Sequence, residues 1–214
     1  MNIALIGGTG FIGARVLAEL LSRGHRVTAL ARDPLTVSPR KGLTVVAADA
    51  LNAGQVARAV ANHDAVISAF NPGWSQPRLY DLALQGNQAI VEGVKAAGVK
   101  RLLVVGCAGG LQVPPGVQLL DTPAFPAEFK QGGLAARVVL ERIRLESTLD
   151  WSLISPPLML TPGPRTGHYR LATDELLLGQ DGQPASMSLL DLAVAIVDEI
   201  EQPRHVRRRF AVAN

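Results

Sequence analysis

The sequence predicts an α/β fold, a doubly wound parallel sheet with helices on both faces. Three observations predict it. Short aliphatic runs alternate with helix-length segments along most of the chain. Those runs lack strict apolar–polar alternation, as expected of strands covered on both faces. A glycine-rich turn, Gly7-Gly8-Thr9-Gly10-Phe11-Ile12-Gly13, joins the first run to the first helical pattern. Alternating β and α units imply a parallel sheet with right-handed crossovers.

The elements follow in order. Residues 3–6 read as the first strand, and Ile12, Val16, Leu17, Leu20 and Leu21 mark one helical face after it. Further strands are expected at 27–31, 43–47, 65–69, 101–105 and 151–155, with helices near 53–61, 77–97 and 127–147. The expected strand order is 3-2-1-4-5-6. Pro156-Pro157 ends the sixth strand. The stretch 158–187 is rich in Pro, Gly and polar residues, with strand-like pieces at 169–172 and 175–178. Ser188-Leu189-Leu190-Asp191 resembles a capping box, and Leu189, Leu192, Ala193, Ile196, Val197 and Ile200 share one helical face. Phe210-Ala211-Val212 is a candidate seventh strand. No repeat, low-complexity tract or linker interrupts the chain. Residues 1–214 therefore read as one domain, with 156–187 forming a small C-terminal cap on its substrate side.

A chain of 214 residues is long enough for one α/β domain with a well-buried core. The formal net charge of +3 is a weak case for a polyanionic partner. The most basic stretch, Arg204-His205-Val206-Arg207-Arg208-Arg209, reads as a solvated loop and strand edge, so no nucleic acid is expected. Cys107 is the one cysteine, which excludes an intrachain disulfide and fits a reducing compartment. The N-terminus lacks the basic region of a signal peptide, and no apolar run spans a bilayer. A cytoplasmic location without membrane contact is the expectation. No metal-ligand spacing, hydrolase elbow or paired-acid arrangement occurs. Monomer and dimer are equally compatible with the sequence.

The glycine turn carries the chemistry. Glycines 8, 10 and 13 satisfy G-x-G-x-x-G, and glycines 7, 10 and 13 satisfy G-x-x-G-x-x-G. At the first strand–helix junction such a turn lets a pyrophosphate lie against bare backbone at a helix N-terminus. The alternative is a tight βα turn without ligand, but the second strand also ends in the expected residue type. Together they predict a Rossmann-type dinucleotide site. Arg32 stands about 20 residues after Gly13, where arginine accommodates a ribose 2′-phosphate and a carboxylate would bind the 2′-OH. Asp33 falls one residue late for the carboxylate role. NADP(H) is therefore favoured over NAD(H), unless Arg32 is only a surface residue before a turn. Asp49, after the third strand, is placed to approach the adenine, or is a solvated loop carboxylate. Ala69 and Phe70 end the fourth strand, where the backbone passes the cofactor ribose, although Phe70 equally fits the core.

Ligands of open α/β sheets bind beyond the carboxyl ends of the strands. Asn71-Pro72-Gly73-Trp74, Gly106-Cys107-Ala108-Gly109-Gly110 and Ser155-Pro156-Pro157-Leu158 should converge there. Cys107, Trp74 and His168 are the pocket candidates. Trp74 either stacks on a flat substrate or covers the pocket. His168, with Tyr169, is expected at the mouth, and Cys107 reads as inert packing more readily than as a nucleophile. One absence narrows the chemistry. Carbonyl reduction by Tyr-x-x-x-Lys enzymes needs a proton for the developing alkoxide. Here Leu84 follows Tyr80 and Thr173 follows Tyr169 at that spacing. A flavin or quinone can accept hydride without an immediate side-chain proton. The absence also fits a chain that catalyses nothing.

On these residues the chain resembles the atypical short-chain dehydrogenase/reductases of the NAD(P)H-binding, NADH-flavin reductase type, related to biliverdin reductase B-like flavin reductases and to NmrA-like proteins. The likeness rests on Ala4-Leu5-Ile6-Gly7-Gly8-Thr9-Gly10, Val27-Thr28-Ala29-Leu30-Ala31-Arg32 and Leu102-Leu103-Val104-Val105-Gly106-Cys107-Ala108. Its most distinctive parts are Trp151-Ser152-Leu153-Ile154-Ser155-Pro156-Pro157 and Pro162-Gly163-Pro164-Arg165-Thr166-Gly167-His168-Tyr169. The resemblance implies that the backbone of Thr9, Gly10, Phe11 and Ile12 cradles the pyrophosphate and that Arg32 faces the 2′-phosphate. It also implies that Cys107 and Pro156 flank the nicotinamide. The expectation is an NADPH-dependent reductase with a small-molecule hydride acceptor, FMN, FAD or a quinone. The alternatives are a non-catalytic NADP(H)-sensing, NmrA-like module that binds a partner protein, and a sugar-nucleotide epimerase or dehydratase. The absent tyrosine and the short C-terminal part weaken the last.

Overall fold

The computed structural model describes residues 1–214. In chain order the elements begin with β1 (Asn2–Ile6), α1 (Gly13–Ser22), β2 (Arg26–Ala31), β3 (Leu43–Ala47), α2 (Ala53–Val60) and β4 (Ala65–Ser68). They continue with α3 (Leu79–Ala96), β5 (Arg101–Val105), β6 (Gln112–Val113), β7 (Val117–Gln118), α4 (Lys130–Arg144) and β8 (Asp150–Ser155). β9 (Met159–Thr161), β10 (Arg170–Ala172), β11 (Ser186–Ser188), α5 (Leu189–Glu201) and β12 (Arg208–Ala213) complete the chain.

Eight strands form one sheet in the order β10-β12-β8-β5-β4-β1-β2-β3. The six expected strands stand in the expected order, with β8 as the sixth. β12 is the seventh, parallel to β8 with Phe210 beside Ile154. β10 closes the edge antiparallel to β12.

Side-chain parity along each strand divides the core. Ile3 and Leu5 of β1 join Val16 and Leu20 of α1, Ile196 of α5 and Phe210 of β12 on one face. Ala4 and Ile6 join Val56 of α2, Ile90 and Val94 of α3 and Leu140 of α4 on the other. Both faces are dry, which is why the strand sequences do not alternate in polarity. Side chains begin two of the helices. The Asn52 carbonyl accepts from the Gln55 amide at 3.0 Å, and Ser188 Oγ accepts from the Asp191 amide at 3.0 Å. α1 has no such cap.

The last third departs most from expectation. Residues 175–178 form no strand. They make only isolated bridges, Gln112 to Glu175 and Leu178 to Pro184, because the chain reverses at Gly182 (φ +73°). The helix expected from residue 127 starts with a single 3-10 turn, Ala127–Phe129, ahead of α4. The hairpin β6–β7 and the parallel pair β9–β11 were not foreseen. Of the stretch 156–187, residues near 156–160 border the cleft described below. Residues 165–169 cross to the α1/α5 face, where Arg165 bonds Glu19 and the Tyr169 hydroxyl donates to Asp198 at 2.6 Å, while 174–176 return to β6, the Gln112 amide donating to the Asp174 carbonyl at 2.7 Å. No helix is long and apolar enough to cross a membrane.

Candidate active site

A cleft of about 550 Å³ opens beyond the carboxyl ends of β1, β4, β5 and β8. Gly7, Thr9, Gly10, Phe11 and Ile12 line one end of it. The turn that presents them is locked by close backbone approach. Gly7 adopts φ +81°, and a Cβ there would lie 2.4 Å from the Ala69 carbonyl oxygen. A Cβ on Gly13 would lie 2.0 Å from the Gly7 carbonyl oxygen. Gly13 is buried behind the turn, so it permits the cleft without lining it. The amides of Phe11, Ile12 and Gly13 make no hydrogen bond within the chain. With no side-chain cap on α1, the free donors of Phe11 and Ile12 at the cleft, together with the helix dipole, suit an anion.

Ala69 and Phe70 follow β4 and line the next part. Phe70 lies against Gly86 of α3, where a Cβ would come within 2.2 Å of the ring. Gly86 is thus a site-forming residue that motif reading misses. Its only signal is a glycine inside a helix without a capping role. Trp74 lines the far end, 52% exposed, edge-on to Phe129 with ring centroids 5.0 Å apart. Gly132 of α4 leaves room for it, since a Cβ there would meet the indole at 2.5 Å. Cys107 and Pro156 stand between these two ends. Phe125, Phe129 and Gly132 are further lining residues that sequence reasoning did not single out.

The other expected residues lie outside the cleft lining. Arg32 is exposed at the end of β2. Beside it, the Asp33 carboxylate accepts from the Leu35 amide at 3.0 Å and caps a 3-10 turn, Pro34–Thr36. Both side chains at this corner are exposed, the carboxylate with one oxygen engaged by backbone. Asp49 is partly buried after β3, and its carboxylate accepts from the Leu51 amide at 3.0 Å. His168 does not reach the cleft. It is exposed on the segment that crosses to α5, its carbonyl held by the Asn214 side chain at 2.7 Å. Tyr169 is engaged with Asp198, and Tyr80 does not line the cleft either.

The cleft wall is apolar and aromatic. It holds four of the five phenylalanines and one of the two tryptophans of the chain. Cys107 is its only ionisable side chain. Burial pushes that thiol above its ordinary range, although its sulfur accepts from the Gly109 amide at 3.3 Å. At neutral pH the group is a neutral thiol, not a nucleophilic thiolate. No carboxylate, amine, imidazole or phenol faces the space.

Residues 7–203 match the family model described as NAD(P)H-binding. A Burkholderia pseudomallei structure described as a candidate exported protein is 39% identical, with a TM-score of 0.90 and 100% of both chains covered. A Bacteroides thetaiotaomicron structure described as a candidate epimerase is 38% identical, with a TM-score of 0.92 over 99% of this chain and 96% of that one. A Streptococcus pneumoniae structure described as a candidate NADH-flavin reductase is 29% identical, with a TM-score of 0.84 over 100% of this chain and 99% of that one.

Proposed function

The chain belongs to the NAD(P)H-binding family, and from that premise we propose a reductase that passes hydride from NADPH to a flavin or quinone. The observation that carries this reading is the aromatic wall of the cleft with no acid or base beyond a buried thiol. Such a wall suits a flat, conjugated acceptor, because aromatic rings stack on aromatic rings at little entropic cost. The likeness to the pneumococcal protein supports it at the level of reaction type. An epimerase or dehydratase would need an acid–base pair poised within the cleft, and a single buried thiol does not make one.

The residues present fit a dinucleotide. The amides at 11 and 12 would hold the pyrophosphate, Arg32 a 2′-phosphate, and Ala69 and Phe70 the ribose. Cys107 and Pro156 would flank the nicotinamide, which supplies hydride from its ring. Trp74, Phe125 and Phe129 would orient the acceptor face to face and exclude water. The rate then rests on proximity and alignment. Its partner is a small molecule, neither a nucleic acid nor a membrane, and we assign it to the cytoplasm on its lone cysteine.

NADPH oxidation followed at 340 nm against FMN, FAD, riboflavin and simple quinones, with NADH in parallel, tests the proposal. Saturable turnover above the protein-free rate is expected, with NADPH preferred. A flat trace with NADPH binding retained would point instead to an NADP(H)-sensing module.

A further inference from the structure

Behind Cys107 lies a second cavity of about 40 Å³, bounded by the segment after β5, the end of β8, the α4 helix, Gln118 of β7 and Arg209 of β12, whose guanidinium is paired with Asp174. It shares Cys107, Ala136 and Leu153 with the cleft, so these three residues form the partition between the two spaces. Its wall is polar where the cleft's is not. Ser155 Oγ, Gln118 Oε1 and Arg137 Nε are buried without a hydrogen-bond partner, and all three residues line this one cavity. Ser155 is 1% exposed. Arg137 is held in place by its other nitrogen, which donates to Asp121 at 2.7 Å. Three different elements thus deliver a donor, an acceptor and a hydroxyl to one point. Buried polar atoms are nearly always paired, and water is the usual partner when protein supplies none. One water needs roughly 10–15 Å³ and two to four polar contacts, and this cavity offers both. Exposed Glu141 and Arg144 form its outer rim.

We propose that this cavity holds water as a proton store for the cleft, with Ser155, Gln118 and Arg137 positioning it to reprotonate Cys107, and Cys107 protonating a quinone acceptor. The inference rests on the reductase reading. The quinone gains a hydride, and NADPH becomes NADP⁺. The S–H bond of Cys107 then breaks, its proton goes to the quinol anion, and the thiolate recovers a proton from the water. A proton from bulk solvent, entering at the rim, neutralises the hydroxide left behind and restores the water. The sum is NADPH, a proton and quinone giving NADP⁺ and quinol. The thiol is protonated at rest, and the apolar surroundings that hold its proton more tightly also raise the proton affinity of the quinol anion formed beside it. Either acceptor can take hydride before a proton arrives, but a reduced flavin spreads the charge over more ring atoms than a quinol does and so gains less from this proton.

The test measures NADPH oxidation by the full chain with menadione and with FMN, in H₂O and D₂O, for wild type, Ser155→Ala and Gln118→Leu. With menadione we expect a solvent isotope effect of about twofold and a loss of roughly tenfold in kcat in either variant, with KM for NADPH unchanged. Turnover with FMN should change far less. Equal losses with both acceptors, or no loss with menadione, would overturn the proton route while leaving the reductase reading intact. A crystal structure without ordered water on Ser155 Oγ would do the same. Wild type that binds NADPH but reduces neither acceptor would remove the reductase reading and this inference together.

Discussion

Single positions in the cleft differ in whether their neighbours can yield. At Gly13 the atom that a Cβ would strike, 2.0 Å away, is the Gly7 carbonyl oxygen, and backbone in a hydrogen-bonded turn has nowhere to go. Gly13→Ala should therefore destabilise the fold by about 1–3 kcal/mol and weaken NADPH binding, as read by thermal melts and titration. Wild-type melting with undiminished affinity would show that the turn can shift. At Gly86 the clash, at 2.2 Å, is with the ring of Phe70, which lies at the cleft and can rotate away. Gly86→Ala should cost binding more than stability, and the reverse ranking would remove Phe70 from the cofactor site. Arg32 is exposed and touches nothing that the fold depends on. Arg32→Ala should raise the Kd for NADPH about tenfold with NADH and the melting temperature unchanged. Equal effects on the two nucleotides would refute the 2′-phosphate assignment.

Between elements, the α3–α4 contact carries a titratable clamp. Glu146, just past α4, meets Lys95 of α3 at 2.7 Å and accepts from the Thr148 amide at 2.6 Å. Burial alone would raise its pKa, but the bonds from Lys95 and Thr148 outweigh it and hold the carboxyl down to about 2. A folded pKa below the unfolded value of 4.5 means stability that is present above pH 4.5 and lost as pH falls towards 2. Glu146→Gln should melt lower at neutral pH and show a shallower loss between pH 4.5 and 2. Parallel curves for the two proteins would discard the clamp. The strands of the main sheet were legible in sequence because burial on both faces makes them continuous aliphatic runs. The glycine turn was legible because close backbone approach leaves no other residue type. β9 and β11 were not, because three-residue strands carry no period and these two pair across β10 and its long flanking loops. The acceptor wall was hidden for a related reason. Phe125, Phe129 and Gly132 come from a loop, a 3-10 turn and a helix start, and only packing against Trp74 and Leu120 decides that they meet. His168 was misjudged because long-range bonds set the path of its segment, Arg165 to Glu19 and Thr166 to Asp191.

Those long-range bonds decide how the molecule unfolds as a whole. The Pro- and Gly-rich stretch looks detachable in sequence, yet its ends pair with each other as β9 and β11 and its middle strand, β10, joins the main sheet. β12 lies between β8 and β10, so the end of the chain holds the edge strand in place. Asn214 donates to Asp191 at 3.0 Å and accepts from the Ser188 amide at 2.9 Å, joining the last residue to the start of α5. Arg23, the residue after α1, reaches Asp198 and Glu201 of α5 at 2.7 Å each. Phe210 is part of the same core as Ile3 and Leu5 of the first strand. A segment tied this way cannot melt without exposing core that the glycine turn stands on. We therefore expect one cooperative transition. Near-ultraviolet and far-ultraviolet circular dichroism should give coincident melts, and the calorimetric and van't Hoff enthalpies should agree. Removing residues 207–214 should abolish that transition, because the edge of β8 and one face of the core lose their cover together. A truncated chain that still melted sharply and still bound NADPH, or an intact one that melted in two steps, would mean that the C-terminal elements fold as a separate layer.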